Sequence, residues 1–557
     1  MAVQSAFAPY RLPPGSLPEE ASKLAVLAAA EPLLVRLDDP LPGSMAAQAL
    51  ADVSAGRAEV ADEACRAADG SPSGRHGQLK ACLVSPRHRA RVEQAVVSAL
   101  TAGFAGVCID RPDSPIAQGF LGSGFCTDCQ RAFSQELSRA YGEQFMPLDF
   151  LALARQALAQ SAGAVGHAQL PFGRDFWRFR AQSLERAVAA YARAARDAAR
   201  AAGRSFEVTV QFEAVGPAQI AAARHFDATI FPVKGETQTS GAGLFRLLRA
   251  AMGKRPCAAA LTGSVPAALV QRLAGVAAAS GIELVALEPA QAGAELAAVR
   301  RFARQVATQR HAPAASDPVA ECAVLYSAEC DLWTGGDHRD QVERAGDALA
   351  ALQIQAPVVM RLADAPPGAP LVLAGARALG YAEAAELKRR VEAGGSAIAL
   401  GDVGAVDEAG RESPPPLPAG KPAGVSVGKG TVVRVPPLPA ARAGALVEPA
   451  QLEPLSRALG AVLGKTRRAA SVAGRSPVLV TLYRNGDRLD AHLVALGAGP
   501  AQGATLFLGH HVAGAVRRAL FRSAGGGEEK IVMNPSGYSI STVLPAFEGY
   551  AVLSIGG

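Results

Sequence analysis

Several carboxylates in this chain stand where apolar runs end. Val107–Ile109 stops abruptly at Asp110, with Arg111 beside it, then Pro112 and Asp113. Glu213 follows the run Val208–Phe212, and Glu236 follows Phe231-Pro-Val-Lys-Gly235. Asp38 and Asp39 follow Leu33–Leu37, and Glu288 follows Leu284–Leu287. A parallel strand buried on both faces reads as a near-continuous apolar run. In barrel enzymes the C-terminal ends of such strands open onto the face that carries the site. Carboxyls gathered there can work as a pair: one protonates a leaving oxygen while the other attacks or activates water. We assign Asp110 as the nucleophile or stabilising carboxylate and Glu236 as the acid, with Glu213 as the second candidate. Asp39, Arg111, Asp113 and Glu288 are expected to contact substrate. Each has a structural alternative. Asp110 would cap the next turn or pair with Arg111, and Asp39 would cap a helix near Gly43. Glu213 would sit near a helix N-terminus at Pro217. Glu236 would pair with Lys234, Arg111 with Asp113, and Asp113-Ser114 would form a turn.

Cys126-x-x-Cys129 is the one clustered cysteine pair among eight cysteines. A tetrahedral zinc site needs four ligands, and this spacing supplies two. Cys108 falls on a strand and Cys65 is distant in sequence. Two thiols packing a loop is therefore the expectation, with no metal and no other cofactor. A redox role is weaker, because Asp128 between them brings negative charge.

The elements that must position these groups alternate. Apolar runs at Leu33–Leu37, Leu79–Val84, Val107–Ile109, Phe206–Phe212, Ala228–Phe231, Ala258–Leu261 and Leu284–Leu287 read as strands. Helical stretches lie between them at Arg89–Ala102, Phe176–Ala202 and Gly263–Ser280. Strand–helix alternation implies a parallel sheet. Seven visible strands predict an α/β fold with an N-terminal (β/α)8 barrel over residues 1–312, one strand hidden within 51–70. An open doubly wound sheet is the alternative.

After a linker at 313–318, strands at Cys322–Tyr326, Val358–Met360, Leu371–Leu373, Ala397–Leu400 and Thr431–Val435 alternate with helices at Asp340–Gln353 and Ala382–Ala393. That reads as a Rossmann-like domain, 319–470. From Pro477 the apolar period changes to two, around Asn485-Gly486, a type I′ hairpin signal. Residues 475–557 are expected to form a small antiparallel β domain. His338 reads as a loop residue or a contact to a neighbouring subunit's barrel mouth. Trp333 reads as an interface or sugar-stacking aromatic. Cys322 and Cys330 lack the elbow of an amidotransferase nucleophile.

The bulk numbers exclude some classes. Net charge is +6 over 557 residues, too dilute for a nucleic-acid partner, and no basic stripe interleaves with aromatics. No run of eighteen apolar residues suggests a membrane span. The N-terminus lacks a signal-peptide pattern, and scattered cysteines fit a reduced cytoplasm.

The stretch Gly103-Phe-Ala-Gly-Val-Cys-Ile-Asp110, with Phe125-Cys-Thr-Asp-Cys-Gln-Arg-Ala-Phe133 and Phe176-Trp-Arg-Phe-Arg180, resembles the barrel of bacterial glycoside hydrolases related to the trimerisation-domain beta-galactosidases. Val324-Leu-Tyr-Ser327, Gly335-Gly-Asp-His-Arg339, Leu371-Val-Leu-Ala374 and Val391-Glu-Ala-Gly-Gly395 resemble that family's trimerisation domain, of glutamine-amidotransferase-like fold. Thr481–Leu493 resembles its C-terminal β domain. The resemblance implies a carbohydrate substrate, glycosidic cleavage by two carboxyls and a homo-oligomer, dimer or trimer. Related enzymes also use a cysteine cluster beside the CxxC. The family carries Asn-Glu at the fourth strand and Glu at the seventh. Here the counted fourth strand ends in Asp110-Arg111 and the seventh in Leu261-Thr-Gly263. An Asp ending the fourth strand is similar to the nucleophile of alpha-L-fucosidases and some alpha-galactosidases. A non-catalytic carbohydrate-binding or scaffold barrel is the alternative function.

Overall fold

The computed structural model describes residues 34–36, 50–75, 78–142, 149–160, 170–234, 241–262, 267–286, 316–407, 411–418, 424–439, 449–463, 468–497, 499–514, 516–523 and 527–556. Two compact units divide the chain, Met1–Pro232 and Val233–Gly557.

In the first unit, β1 (Leu34–Arg36), β2 (Leu50–Ser54), β3 (Gly106–Asp110), β4 (Glu207–Gln211) and β5 (Ala228–Lys234) lie side by side, parallel and in chain order. The unit boundary falls inside β5. All five residues of β3 are buried, which is why its sequence shows no alternation. Helix α1 (Pro86–Thr101) starts three residues before the expected point. Ser85 accepts a hydrogen bond from the His88 N–H, and Pro86 opens the helix where its missing N–H costs nothing. The longest helix is Gly173–Ala201. Its Phe176 packs against Phe150, Phe125 and Phe133 with ring centroids 4.7, 4.9 and 5.1 Å apart.

Two strand expectations change. Leu79–Val84 does not join the parallel sheet: only Gln78–Leu79 is a strand, paired antiparallel with Gly74–Arg75. The apolar residues there, Ala81, Cys82 and Leu83, are buried by loop packing. The hidden strand is β2, at the edge of the window where it was expected. Asp110 therefore ends the third parallel strand among the described residues. An eighth strand and closure of the ring are not among the described residues.

In the second unit, β6 (Cys257–Thr262) and β7 (Glu283–Ala286) pair in parallel. A separate sheet holds β8 (Ala323–Leu325), β9 (Val358–Val359), β10 (Leu371–Ala374), β11 (Ser396–Leu400) and β12 (Gly430–Val435) in the order β9-β8-β10-β11-β12. These five run parallel, with Val425–Val427 antiparallel at the edge. This is the doubly wound 2-1-3-4-5 order. Two antiparallel sheets, of six and four strands, complete the chain. The long hairpin pairs Asn485 with Arg488, so its loop is Gly486-Asp487. Positive φ occurs at Gly486 alone of that pair, which fits type II′ rather than the expected I′.

His338 and Trp333 are buried, not loop or surface groups. His338 lies in helix Asp337–Ala351. Its Nε2 accepts from the Ser327 N–H at 2.9 Å, so Nδ1–H donates to the Ala374 carbonyl at 2.8 Å. Burial pushes its pKa down to about 4. The unfolded chain, near 6.5, then binds the proton more readily. Stability is complete above about pH 6.5 and falls as pH drops toward 4. A histidine Cε1–H titration, with His338 assigned by a His338→Asn variant, should show a midpoint well below 6. A midpoint near 6.5 would refute the burial argument.

Helix Ala242–Met252 crosses Asp337–Ala351 at two glycines. A Cβ on Gly346 would lie 2.5 Å from the Gly243 Cα. Asp347 accepts the Gly243 N–H at 2.8 Å and fixes the crossing. Gly346→Ala should destabilise the protein by about 1–3 kcal/mol through overpacking, read as a lower urea midpoint. An unchanged midpoint would show that the helices part freely.

Candidate active site and cysteine centre

The strand ends of the first unit gather a charged cluster. Register places Asp110 opposite Gln211, two residues before Glu213. Asp110 is buried, and Arg111 grips its carboxylate: Nε lies 3.1 and 3.2 Å from the two oxygens and Nη2 3.1 Å from Oδ2. Arg111 has φ +46, a conformation that L residues seldom adopt. Its N–H donates to the Gln211 carbonyl at 2.7 Å. A Cβ on Gly56 would collide with the Arg111 carbonyl oxygen, so only glycine fits there. The Asp110 carbonyl accepts from the N–H groups of Ala55 and Gly56 at 3.2 and 3.1 Å. Neighbouring strand ends on both sides therefore hold the strained bend, a situation typical of functional sites. Burial opposes the Arg111 charge, but Asp110, Glu213 and Asp52 outweigh it and hold its pKa above the ordinary value.

Glu213 is partly exposed. Its Oε2 accepts from Lys80 Nζ at 3.2 Å and from the Ser114 hydroxyl. Lys80 also reaches Ser114 Oγ at 3.2 Å. Asp113 is fully buried, and both its oxygens are engaged. Oδ1 accepts from Glu213 N at 2.8 Å; Oδ2 accepts from Ala214 N at 3.0 Å and Gln219 Nε2 at 2.9 Å. Burial pushes its pKa up to about 7, against those three donors. Asp113 thus shapes the turn that presents Glu213, which replaces the expected substrate contact. Of the pairings open to Arg111, with Asp110 or with Asp113, the structure shows the one with Asp110. Asp39, Glu236 and Glu288 lie outside the described residues. Lys80 and Ser114 were not foreseen. Lys80 sat in a run read as a barrel strand, and no spacing rule links it to a glutamate 133 residues on.

From Asp113 the chain runs to the CxxC through a loop clamped by Arg180. This buried guanidinium donates to the carbonyls of Pro115, Gly119 and Phe120 and to Ser123 Oγ, at 2.6–2.9 Å. Beyond it four thiols converge. The Sγ atoms of Cys65, Cys82, Cys126 and Cys129 all lie within 4.8 Å of one another. Cys82 stands 3.3 Å from Cys126 and 3.5 Å from Cys129. A tetrahedral zinc with Zn–S near 2.3 Å sets S···S edges of about 3.8 Å, so the set fits a four-thiolate zinc site closed to substrate. The Gly124 N–H donates to Cys65 Sγ at 2.9 Å, an outer-shell hydrogen bond to a ligand. Hydrogen bonds from Cys126, Cys129 and Cys82 pull the Cys65 pKa well below the ordinary thiol value, against burial. This corrects the expectation of two packing thiols. The missing pair, Cys65 and Cys82, comes from the loop region between β2 and α1, where the isolated cysteines gave no spacing signal.

No helix among the described residues is long and apolar enough to cross a membrane. No family model matches the chain, and no curated protein matches it. Solved structures do. A cold-adapted beta-galactosidase from Rahnella sp. R3 superposes with TM-score 0.61 at 15% identity, covering 97% of this chain and 91% of that one. The beta-galactosidase of Bacillus circulans sp. alkalophilus gives 0.64 at 14%, covering 99% and 94%. Alpha-L-fucosidase isoenzyme 2 from Paenibacillus thiaminolyticus gives 0.64 at 12%, covering 99% of each. At such identities the likeness shows a shared fold along nearly the whole chain.

Proposed function

We propose that this protein hydrolyses glycosidic bonds at the strand-end cluster of its first unit, on a (β/α)8-type barrel. The observation that carries the reading is the placement of Asp110 and Glu213 at the C-terminal ends of adjacent, hydrogen-bonded strands. Neighbouring strands lie about 4.8 Å apart. Arg111 feels both carboxylates electrostatically, and glycoside hydrolysis needs two carboxyls roughly 5–9.5 Å apart. Asp110, salt-bridged to Arg111, acts as nucleophile or charge stabiliser. Glu213, the more exposed of the two, exchanges the proton with the leaving oxygen, and Glu236 is the other candidate for that role. Asp113 and Ser114 position Glu213. The shared fold supports a carbohydrate substrate, since the neighbours named above are a fucosidase and beta-galactosidases. Cys65, Cys82, Cys126 and Cys129 would hold a structural zinc, which would tie the loop after β3 to the loop region after β2.

One observation favours a second reading, carbohydrate binding without cleavage. Each carboxylate carries a cation, Arg111 on Asp110 and Lys80 on Glu213. A panel of 4-nitrophenyl glycosides separates the two. Turnover of any member by wild type, lost in Asp110→Asn, supports hydrolysis. Sugar binding with no turnover across the panel supports the second reading.

A further inference from the structure

The second unit contains a cavity of about 230 Å³ that shares no residue with the strand-end cluster. Helix Ala242–Met252 forms one wall and contributes Arg246 and Arg249. Lys254 follows it at the mouth, and Val358 with Thr481 and Tyr483 of strand Val478–Asn485 also line the cavity. The lining is mostly apolar, yet it carries three cationic groups against one acid. That acid is Asp317, whose side chain is 82% exposed and lies 3.5 Å from the similarly exposed Lys254, at 71%. In solvent such a pair is screened and leaves the interior charge untouched.

Arg246 is the unusual member. It is buried, and among the described residues no carboxylate forms an ion pair with it. Its hydrogen bond is a long one, 3.4 Å from Nη1 to the Gly346 carbonyl. Asp347 acts on it electrostatically but spends Oδ1 on the Gly243 N–H. Burial accordingly pulls the Arg246 pKa below its ordinary value. A buried cation is normally paired, and a guanidinium presents a planar fork that matches a carboxylate. The Tyr483 phenol is buried within electrostatic range of both Arg246 and Arg249, and so adds a hydroxyl to the same end. The wall is also stiff. Gln355 donates to the Val480 carbonyl at 3.1 Å and accepts from the Leu482 N–H at 2.9 Å, which anchors this segment to the strand.

We propose that this cavity binds a small organic acid, its carboxylate paired with the guanidinium of Arg246 beside Arg249 and Tyr483, and its apolar or aromatic body packed against Val358 and Ala250. The site is independent of the hydrolase reading. Its test uses 4-fluorobenzoate and the neutral isostere 4-fluorobenzamide, titrated against the full chain by fluorine NMR. A charge-assisted pair gives the carboxylate a preference of about tenfold or more. Ala250→Phe fills the cavity without altering charge and should abolish binding of both probes. Lys254→Gln, at the exposed mouth, should change binding of either probe less than about twofold. Arg246→Gln should erase the preference, and Asp110→Asn should bind as wild type does. Inorganic phosphate should compete at least about tenfold less well than benzoate, for want of an apolar body. The proposal is overturned if neither probe binds, if both bind equally, if phosphate competes as well as benzoate, or if Ala250→Phe binds benzoate normally.

Discussion

Asp110→Asn lowers glycoside turnover by about 10³-fold or more, with little change in KM. Removing one member of a catalytic unit has effects of this size. The substitution is nearly isosteric and keeps one oxygen to accept from Arg111, so the strained bend at the strand end survives. Arg111 is then a half-buried cation facing an amide. Some loss of stability is expected from that alone, and a thermal melt measures it separately. Arg111→Gln is the necessary companion. If Asp110 acts as nucleophile, releasing it from its 3.1 Å partner changes the pH profile of turnover rather than abolishing it. Equal activity in Asp110→Asn and wild type would remove Asp110 from the chemistry. Equal loss in both variants with intact melts would point to the salt bridge itself as the functional element.

Cys82→Ser empties the cysteine centre. Protein prepared without chelators should carry about one zinc per chain by elemental mass spectrometry, and the variant close to none. Structural zinc binding is folding free energy, so the first unit should lose at least about 3 kcal/mol, a drop in Tm on the order of 10 °C. The reason is local. Cys65, Cys82 and Cys129 are part of the buried cluster that includes Phe125, Phe133, Phe150 and Phe176. Losing the centre frees one side of that cluster and the loop that Arg180 clamps. Chelation of wild type should give the same melt. A metal-free wild type melting where the variant melts, with neither shifted from the untreated protein, would reduce the four thiols to packing.

The ion pairs were the least legible part of the sequence. Asp110 and Arg111 are adjacent, so their pairing is open to a local reading. The contact with Asp110 goes with an αL bend at Arg111, against whose carbonyl Gly56 packs closely. Asp113 looked like a ligand contact because it follows a strand end. Its complete burial depends on Gln219 and on the turn after β4, which no local pattern announces. The four-thiol set is half legible for the same reason. Cys126 and Cys129 are one helical turn apart, while Cys65 and Cys82 arrive through loops that carry no periodicity.

The sequence by itself determined the parallel strands β3, β4 and β5, the alternation of helices and strands in the second unit, and the antiparallel tail. Burial on two faces, helical spacing and period-two alternation are written in consecutive residues. Tertiary structure alone decided that Leu79–Val84 is no barrel strand, that four thiols meet, and that Lys80 lies beside Glu213. Those outcomes depend on groups far apart along the chain competing for the same space and charge, and local pattern holds no record of that competition.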